Sequence, residues 1–307
     1  MASKRRPKGV HQLTSAQFDA MFPVGDEDAC KAYLVARRWP DGVRCPRCGN
    51  AKVYDLKSRK WHWQCEQCAP DGYRFSVTVG TIFENTNKPL RDWYKLTHLM
   101  CVSKKGVSAR QLGRYMGFGS VKTAWLMGHK IRSAMMEPET KLGGIVEVDE
   151  TFIGGKAKNR HIDRRGLGLG TGGVGSGKSV IAGAVRRKGN VIARVVENVR
   201  AATLEEFVRE SVSHKVSLLC TDQWVGYKHL NKAFPQHVTI DHSRGQYVVG
   251  AVHTNTIEGF WSIFKRGVVD TFHKVSRKYL PLYVAEFQFR YNNRENDDIF
   301  AEAIKGC

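Results

Sequence analysis

The chain has 307 residues, 49 of them Lys or Arg and 29 Asp or Glu, which gives a formal net charge of +20 at pH 7. A hydrophobic fraction of 42% with only 9 prolines excludes a disordered chain, and the length calls for two or more folded domains. The positive excess is spread, net +7 over residues 1–100, +5 over 101–140 and +8 over 141–307, so no single basic tail supplies it. Such a field favours a polyanionic partner, of which nucleic acid is the commonest.

The opening MASKRRPKGVHQ has no apolar stretch behind it, and no run approaches the roughly 20 apolar residues of a membrane span. The expectation is a cytoplasmic protein with no membrane partner. Residues 1–41 read as a helical lead-in, because TSAQFDAMF and DEDACKAYLVARRW carry apolar residues at helical spacing, with Thr14 and Asp26 as N-caps.

Over 42–85 the pattern changes to short β-like runs, WHWQC and YRFSVTVGTIF, around two cysteine pairs. Cys45-Pro-Arg-Cys48 and Cys65-Glu-Gln-Cys68 are separated by sixteen residues, a spacing that suits a four-thiolate Zn²⁺ site in a zinc ribbon. Four thiolates close the coordination sphere, so this zinc is expected to be structural; a redox dithiol would not need a second pair. The remaining Cys30, Cys101, Cys220 and Cys307 are scattered, which fits a reducing compartment. Arg44, Arg47, Lys52, Lys57, Arg59 and Lys60 beside Trp61 and Trp63 make the ribbon either a DNA contact or a solvated basic face.

Residues 86–140 are helical again. VSARQLGRYM, a Gly-containing break at 116–120 and SVKTAWLMGHKIRSAMM suit a helix-turn-helix whose second helix, with Lys122, Thr123, His129, Lys130 and Arg132, enters a major groove. The alternative is a helical hairpin packed against its neighbours.

From 141 to 307 the predicted elements run β, β, β, α, β, α, β, α, followed by one more helix. Strands fall at 145–153, 179–187 and 190–198, the last two a hairpin turning at Lys188-Gly189. Then come the helix ATLEEFVRESV, the strand VSLLCTD, the helix WVGYKHLNKA, the strand HVTID, the helix TNTIEGFWSIFKRGV and the helix RKYLPLYVAEFQFRYNN. The Gly-rich stretch 166–177 runs into Gly172 to Ser179, which satisfies the P-loop expression GxxxxGK[ST] and raises a nucleotide triphosphatase as an alternative. A P-loop needs a buried strand before it and a helix after it. KAKNRHIDRRGLGLGTG cannot be the one, and SVIAGAVRRKGNVIARVV alternates as a hairpin, so a basic loop able to lie along DNA is the better reading.

Two-metal phosphoryl transfer needs carboxylates converging on one spot. The element order offers Asp149 in the first strand, Asp222 at the end of the fourth and Glu258 on the helix after the fifth. Glu147 shares a face with Asp149, so the strand alone leaves 147 and 149 ambiguous. Lys265 lies seven residues beyond Glu258 on the same helical face, where a cation can meet a phosphate or be an ordinary surface charge.

These stretches, CPRCGN with WQCEQC, GVSARQLGRYMG with KTAWLMGHKIR, VEVDETFIGGK, TDQWVGYKHL, and HTNTIEGFWSIFKRGVVDTFH with EFQFRYNNR, resemble the zinc-ribbon DDE transposases of bacterial insertion sequences, which have relatives among the eukaryotic Merlin elements. The resemblance implies a multi-domain protein with an α/β RNase H-like catalytic domain, here 141–307 including the C-terminal helix. It implies that Asp149, Asp222 and Glu258 hold two Mg²⁺ or Mn²⁺ and that Lys265 is the basic residue following them. It further implies double-stranded DNA as partner, both inverted-repeat ends and target, with the protein at the nucleoid and at least dimeric on DNA. A zinc-ribbon regulator with a catalytically dead RNase H-like half is the alternative, which the intact triad disfavours.

Overall fold

In the computed structural model the described residues are 13–68, 70–138, 140–154, 178–222, 225–240 and 253–307. They fall into two compact units, one drawn from 1–103, 107–135 and 294–307, the other from 104–106 and 136–293.

In the first unit, helices α1 (Ser15–Met21) and α2 (Glu27–Arg38) start at the expected caps. Thr14 and Gln17 form a reciprocal capping box, and the Asp26 carboxylate accepts the Ala29 N–H at 2.9 Å. The ribbon follows as an antiparallel sheet of β1 (Tyr54–Asp55), β2 (His62–Cys65) and β3 (Tyr73–Ser76). Trp63 and Phe75 of neighbouring strands stack, and Trp39 meets both edge-on. Helix α3 (Leu90–Val102) leads to α4 (Ala109–Met116) and α5 (Val121–Ala134). Gly117 ends α4 at φ +66°, a left-handed turn that glycine adopts without Cβ strain, and Ser120 caps α5.

The lead-in, the ribbon and most of the helical segment lie in this unit, together with a further short helix, α9 (Ile299–Lys305), beyond the helix expected over 277–293. An aromatic core that local pattern cannot show holds α9 in this unit. Phe300 of α9 meets Phe18, Phe22, Tyr33 and Tyr94, and the Cys307 carbonyl accepts the Ile82 N–H at 3.1 Å.

The second unit is a five-stranded sheet of β4 (Leu142–Ile153), β5 (Ser179–Arg186), β6 (Val191–Val196), β7 (Val212–Asp222) and β8 (His237–Ile240), in the order β6-β5-β4-β7-β8. β5 is antiparallel to β4 and β6, whereas β7 is parallel to β4, and β8 to β7. Alternation along β5 divides the core between two faces. Val180, Ala182 and Ala184 join Leu204, Phe207 and Val208 of α6 (Ala201–Ser211), while Ile181 and Val185 meet α7 (Asn255–Arg266) and α8 (Leu280–Asn292). The hairpin turns at Lys188 and Gly189 as expected, with Lys188 at φ +55°.

The helix expected over WVGYKHLNKA is instead two short 3₁₀ turns, Val225–Tyr227 and Leu230–Lys232. Tyr227 is buried completely and its hydroxyl donates to Glu150 Oε2 at 2.7 Å, an anchor that ties this segment to the sheet. At the outer edge, the Gln288 and Asn292 side chains of α8 accept the β6 N–H groups of Ala193 (2.9 Å) and Val191 (2.7 Å). These i, i+4 residues cover an edge that would otherwise offer unpaired donors to another strand.

Candidate functional site

The ribbon brings together the four cysteines singled out by spacing. All their Sγ atoms lie within 4.8 Å of one another, with Cys45 to Cys68 and Cys48 to Cys65 both at 3.7 Å. Thiolates arranged tetrahedrally about Zn²⁺ at about 2.3 Å stand about 3.8 Å apart, so the set fits that ion. The knuckle at Cys45 is held by the Gly49 N–H to the Cys45 carbonyl (2.8 Å) and the Cys45 N–H to the Asn50 carbonyl (2.9 Å). Asn50 also directs its side-chain amide at Cys65 Sγ (3.8 Å), a contact that steadies a thiolate ligand and that spacing alone could not reveal.

The acidic site is built differently. On β4 and β7 the last register pair is Glu147 with Cys220, and Asp149 and Asp222 each lie two residues further on. Two residues along paired parallel strands keeps both carboxylates on the face of Glu147, the face that α7 covers. Glu258 projects from the first turn of α7, where Thr254 Oγ1 donates to its Oε1 at 2.9 Å.

Glu147, the competing candidate, is fully buried and fully engaged. Its oxygens accept from Arg187 Nε (2.6 Å), Thr256 N (2.8 Å), Thr256 Oγ1 (2.8 Å) and Ile257 N (3.1 Å). Glu147 is thereby tied to the start of α7. Burial, then the charges of Glu150, Asp222 and Glu258, push the Asp149 carboxyl up to about 7. Burial and Asp222 likewise raise Glu150, opposed by the bond from Tyr227. These carboxylates therefore share one field, although among the described residues no acidic group gathers as tightly as the four thiols do.

Helix α7 can lie this close because β5 carries Gly183, the register partner of Asp149. A Cβ at Gly183 would stand 2.5 Å from the Trp261 ring. An isolated glycine inside a strand pattern is the signal that could have marked this approach.

Two family models match the chain, an ISXO2-like transposase domain over residues 141–292 and a transposase zinc-ribbon domain over 25–70. It is also 30% identical over 273 residues, 84% of this chain and 89% of the other, to an uncharacterized protein in transposable element ISH50 of Halobacterium salinarum. The chain belongs to the ISXO2-like transposase family.

Within this transposase, Lys265 is exposed on α7, two turns or about 10 Å along the axis from Glu258. The residues expected on the α5 groove face divide. Lys122 is exposed, whereas His129 (7% exposed) and Arg132 (3%) are buried and unavailable to DNA. The outward surface of α4 and α5 is made instead by Arg110, Arg114, Tyr115, Lys122, Trp125 and Leu126. The Gly-rich loop 166–177 lies outside the described residues. Ser179 nevertheless opens strand β5 and not a helix, so the helix N-terminus that a P-loop phosphate site requires does not follow the lysine. Among the described residues no helix is long and apolar enough to cross a membrane.

Proposed function

We propose that this transposase binds the terminal inverted repeats of its element, hydrolyses a phosphodiester to free a 3′-hydroxyl and joins that hydroxyl to target DNA. Asp149, Asp222 and Glu258 are the divalent-metal ligands and Lys265 a phosphate contact. The observation that carries this reading is the placement of Asp149 and Asp222 side by side beyond the last register pair of two parallel strands, under a helix that brings Glu258. The sheet order, with its three-stranded antiparallel part followed by two parallel strands, supports an RNase H-like catalytic unit.

Three acids that repel one another are suited to Mg²⁺ or Mn²⁺, hard cations that prefer oxygen ligands. Such ions supply Lewis-acid charge at the attacking and leaving oxygens. The chain's own contributions are separate. Asp149 must release the proton that burial and its neighbours favour before it can serve as a ligand. Lys265 offers a cation along the exposed side of α7, where a phosphate beside the acids would lie. The ribbon and the outward face of α4 and α5 hold the duplex, two copies of the chain pair the ends, and the work is done at the nucleoid in the cytoplasm.

The test is cleavage and strand transfer on a labelled repeat-end duplex with Mg²⁺, beside a gel shift with Ca²⁺ in its place. Alanine at Asp149, Asp222 or Glu258 should abolish chemistry and spare binding. Lys265→Ala should lower activity only in part and weaken hold on the scissile phosphate. Triad variants that stay active would leave a DNA-binding regulator as the better description.

A further inference from the structure

Among the described residues, helix α7 opens without a side-chain cap bond from its own N-cap residue. Thr254 stands at the N-cap position but makes no side-chain cap bond, its hydroxyl going instead to Glu258 Oε1. The first amides of a helix need acceptors, and a carboxylate there also meets the positive end of the helix dipole. Glu147 supplies both from another element. Its Oε2 takes the Thr256 and Ile257 N–H groups at 2.8 and 3.1 Å, and its Oε1 takes the Thr256 hydroxyl at 2.8 Å. A buried carboxylate is costly unless paired and bonded on every side. Arg187 meets Oε1 at 2.6 Å and also holds the His253 carbonyl (2.9 Å), and His253 Nδ1 lies 3.2 Å from the same Oε1.

We infer that Glu147 is a positioning residue, a cap in trans that pins the start of α7 to β4 and so fixes Glu258 relative to Asp149. This rests on the triad reading. Asp149 lies two residues beyond Glu147 on the strand, and Glu258 lies one residue beyond the second capped amide on the helix. One buried side chain therefore sets both arms. The arrangement also releases Thr254 from capping, so that its hydroxyl can orient the Glu258 carboxylate. Neither Glu147 nor Thr254 is expected to touch DNA or metal.

The experiment titrates Mn²⁺ calorimetrically into zinc-loaded full-length protein, and separately measures the Mg²⁺ concentration that half-saturates cleavage. Groups that orient metal ligands typically contribute 10–100-fold to affinity. Glu147→Gln keeps only one of the two acceptor oxygens that four donors share, and should weaken Mn²⁺ about 10–100-fold and raise half-saturating Mg²⁺ by a similar factor. The rate at saturating Mg²⁺ should recover much of its wild-type value. Mere loss of folded protein would lower that rate without moving the half-saturation point. Thr254→Val, which keeps the shape and removes one bond, should move Mn²⁺ affinity the same way by a smaller factor, and serves if Glu147→Gln does not fold. Wild-type Mn²⁺ affinity in these variants, with affinity lost in Glu258→Gln, overturns the positioning role alone. Wild-type affinity in Glu258→Gln as well overturns the triad reading beneath it.

Discussion

The two candidate metal centres of this transposase are assembled in opposite ways. In the ribbon, two short knuckles bring four sulfurs to tetrahedral spacing, 3.7 Å between partners, with three of the four cysteines buried. In the α/β unit, Asp149, Asp222 and Glu258 come from three separate elements and among the described residues do not gather as the thiols do, with Asp222 and Glu258 both raising the cost of charge on Asp149. The difference follows from chemistry. Four thiols complete a closed S₄ shell only when an ion arrives, and that shell then contributes folding energy. Carboxylates brought together resist sharing charge, as the raised Asp149 carboxyl shows, so their spacing must be imposed from outside by a sheet, a trans cap and a close helix. They are then left open to ions and substrate.

The largest effect is expected at the closed site. Cys68→Ser should remove stoichiometric zinc and with it a binding energy of order 10 kcal/mol, read by metal analysis and by loss of amide protection over 54–76. Retained zinc would break the comparison. Next is the packing that imposes spacing on the acids. Gly183→Ala drives a Cβ into Trp261 and should cost about 1–3 kcal/mol, lowering thermal stability while zinc content stays unchanged.

Asn50→Ala sharpens the contrast from the ribbon side. Loss of its amide contact with Cys65 should weaken zinc about 10-fold in a chelator competition, without the unfolding expected of a cysteine variant. The smallest effect has the opposite sign. Because the Asp149 carboxyl sits at about 7 in the fold, above an ordinary aspartate near 4, its ionisation destabilises the metal-free acidic site. That stability is present below about pH 4 and is lost as pH rises through 7. Asp149→Asn should therefore raise thermal stability of zinc-loaded protein above pH 7 without added Mg²⁺, by about 1 kcal/mol, and the gain should vanish toward pH 4. A destabilised Asn variant at pH 8 would place Asp149 in a structural network like that of Glu147.

What the sequence revealed followed the range of the forces involved. The thiol knuckles, the N-caps at Thr14 and Asp26 and the hairpin turn at Lys188-Gly189 are set by neighbours within a few residues, and they were legible. Residues that depend on a distant partner were not. Phe300 binds α9 to an aromatic core begun at Phe18, and Tyr227 gives up helix for a bond to Glu150. His129 and Arg132 share a helix with Lys122 but turn inward. Strand periodicity put Glu147 and Asp149 on one face and could go no further. What separates them is a set of amides more than a hundred residues away at the start of α7.

The central claim is that Asp149, Asp222 and Glu258 form one phosphoryl-transfer site in a protein that holds DNA by other parts. The most direct measurement is Mg²⁺-dependent cleavage and strand transfer of a labelled repeat-end duplex by wild type and by the Asp149→Ala, Asp222→Ala and Glu258→Ala proteins, each checked for end binding in Ca²⁺. The expected result is a loss of at least about 100-fold in both steps for each variant, with binding unchanged or slightly tighter because a carboxylate that repels phosphate is gone. Wild-type cleavage by all three variants would contradict it.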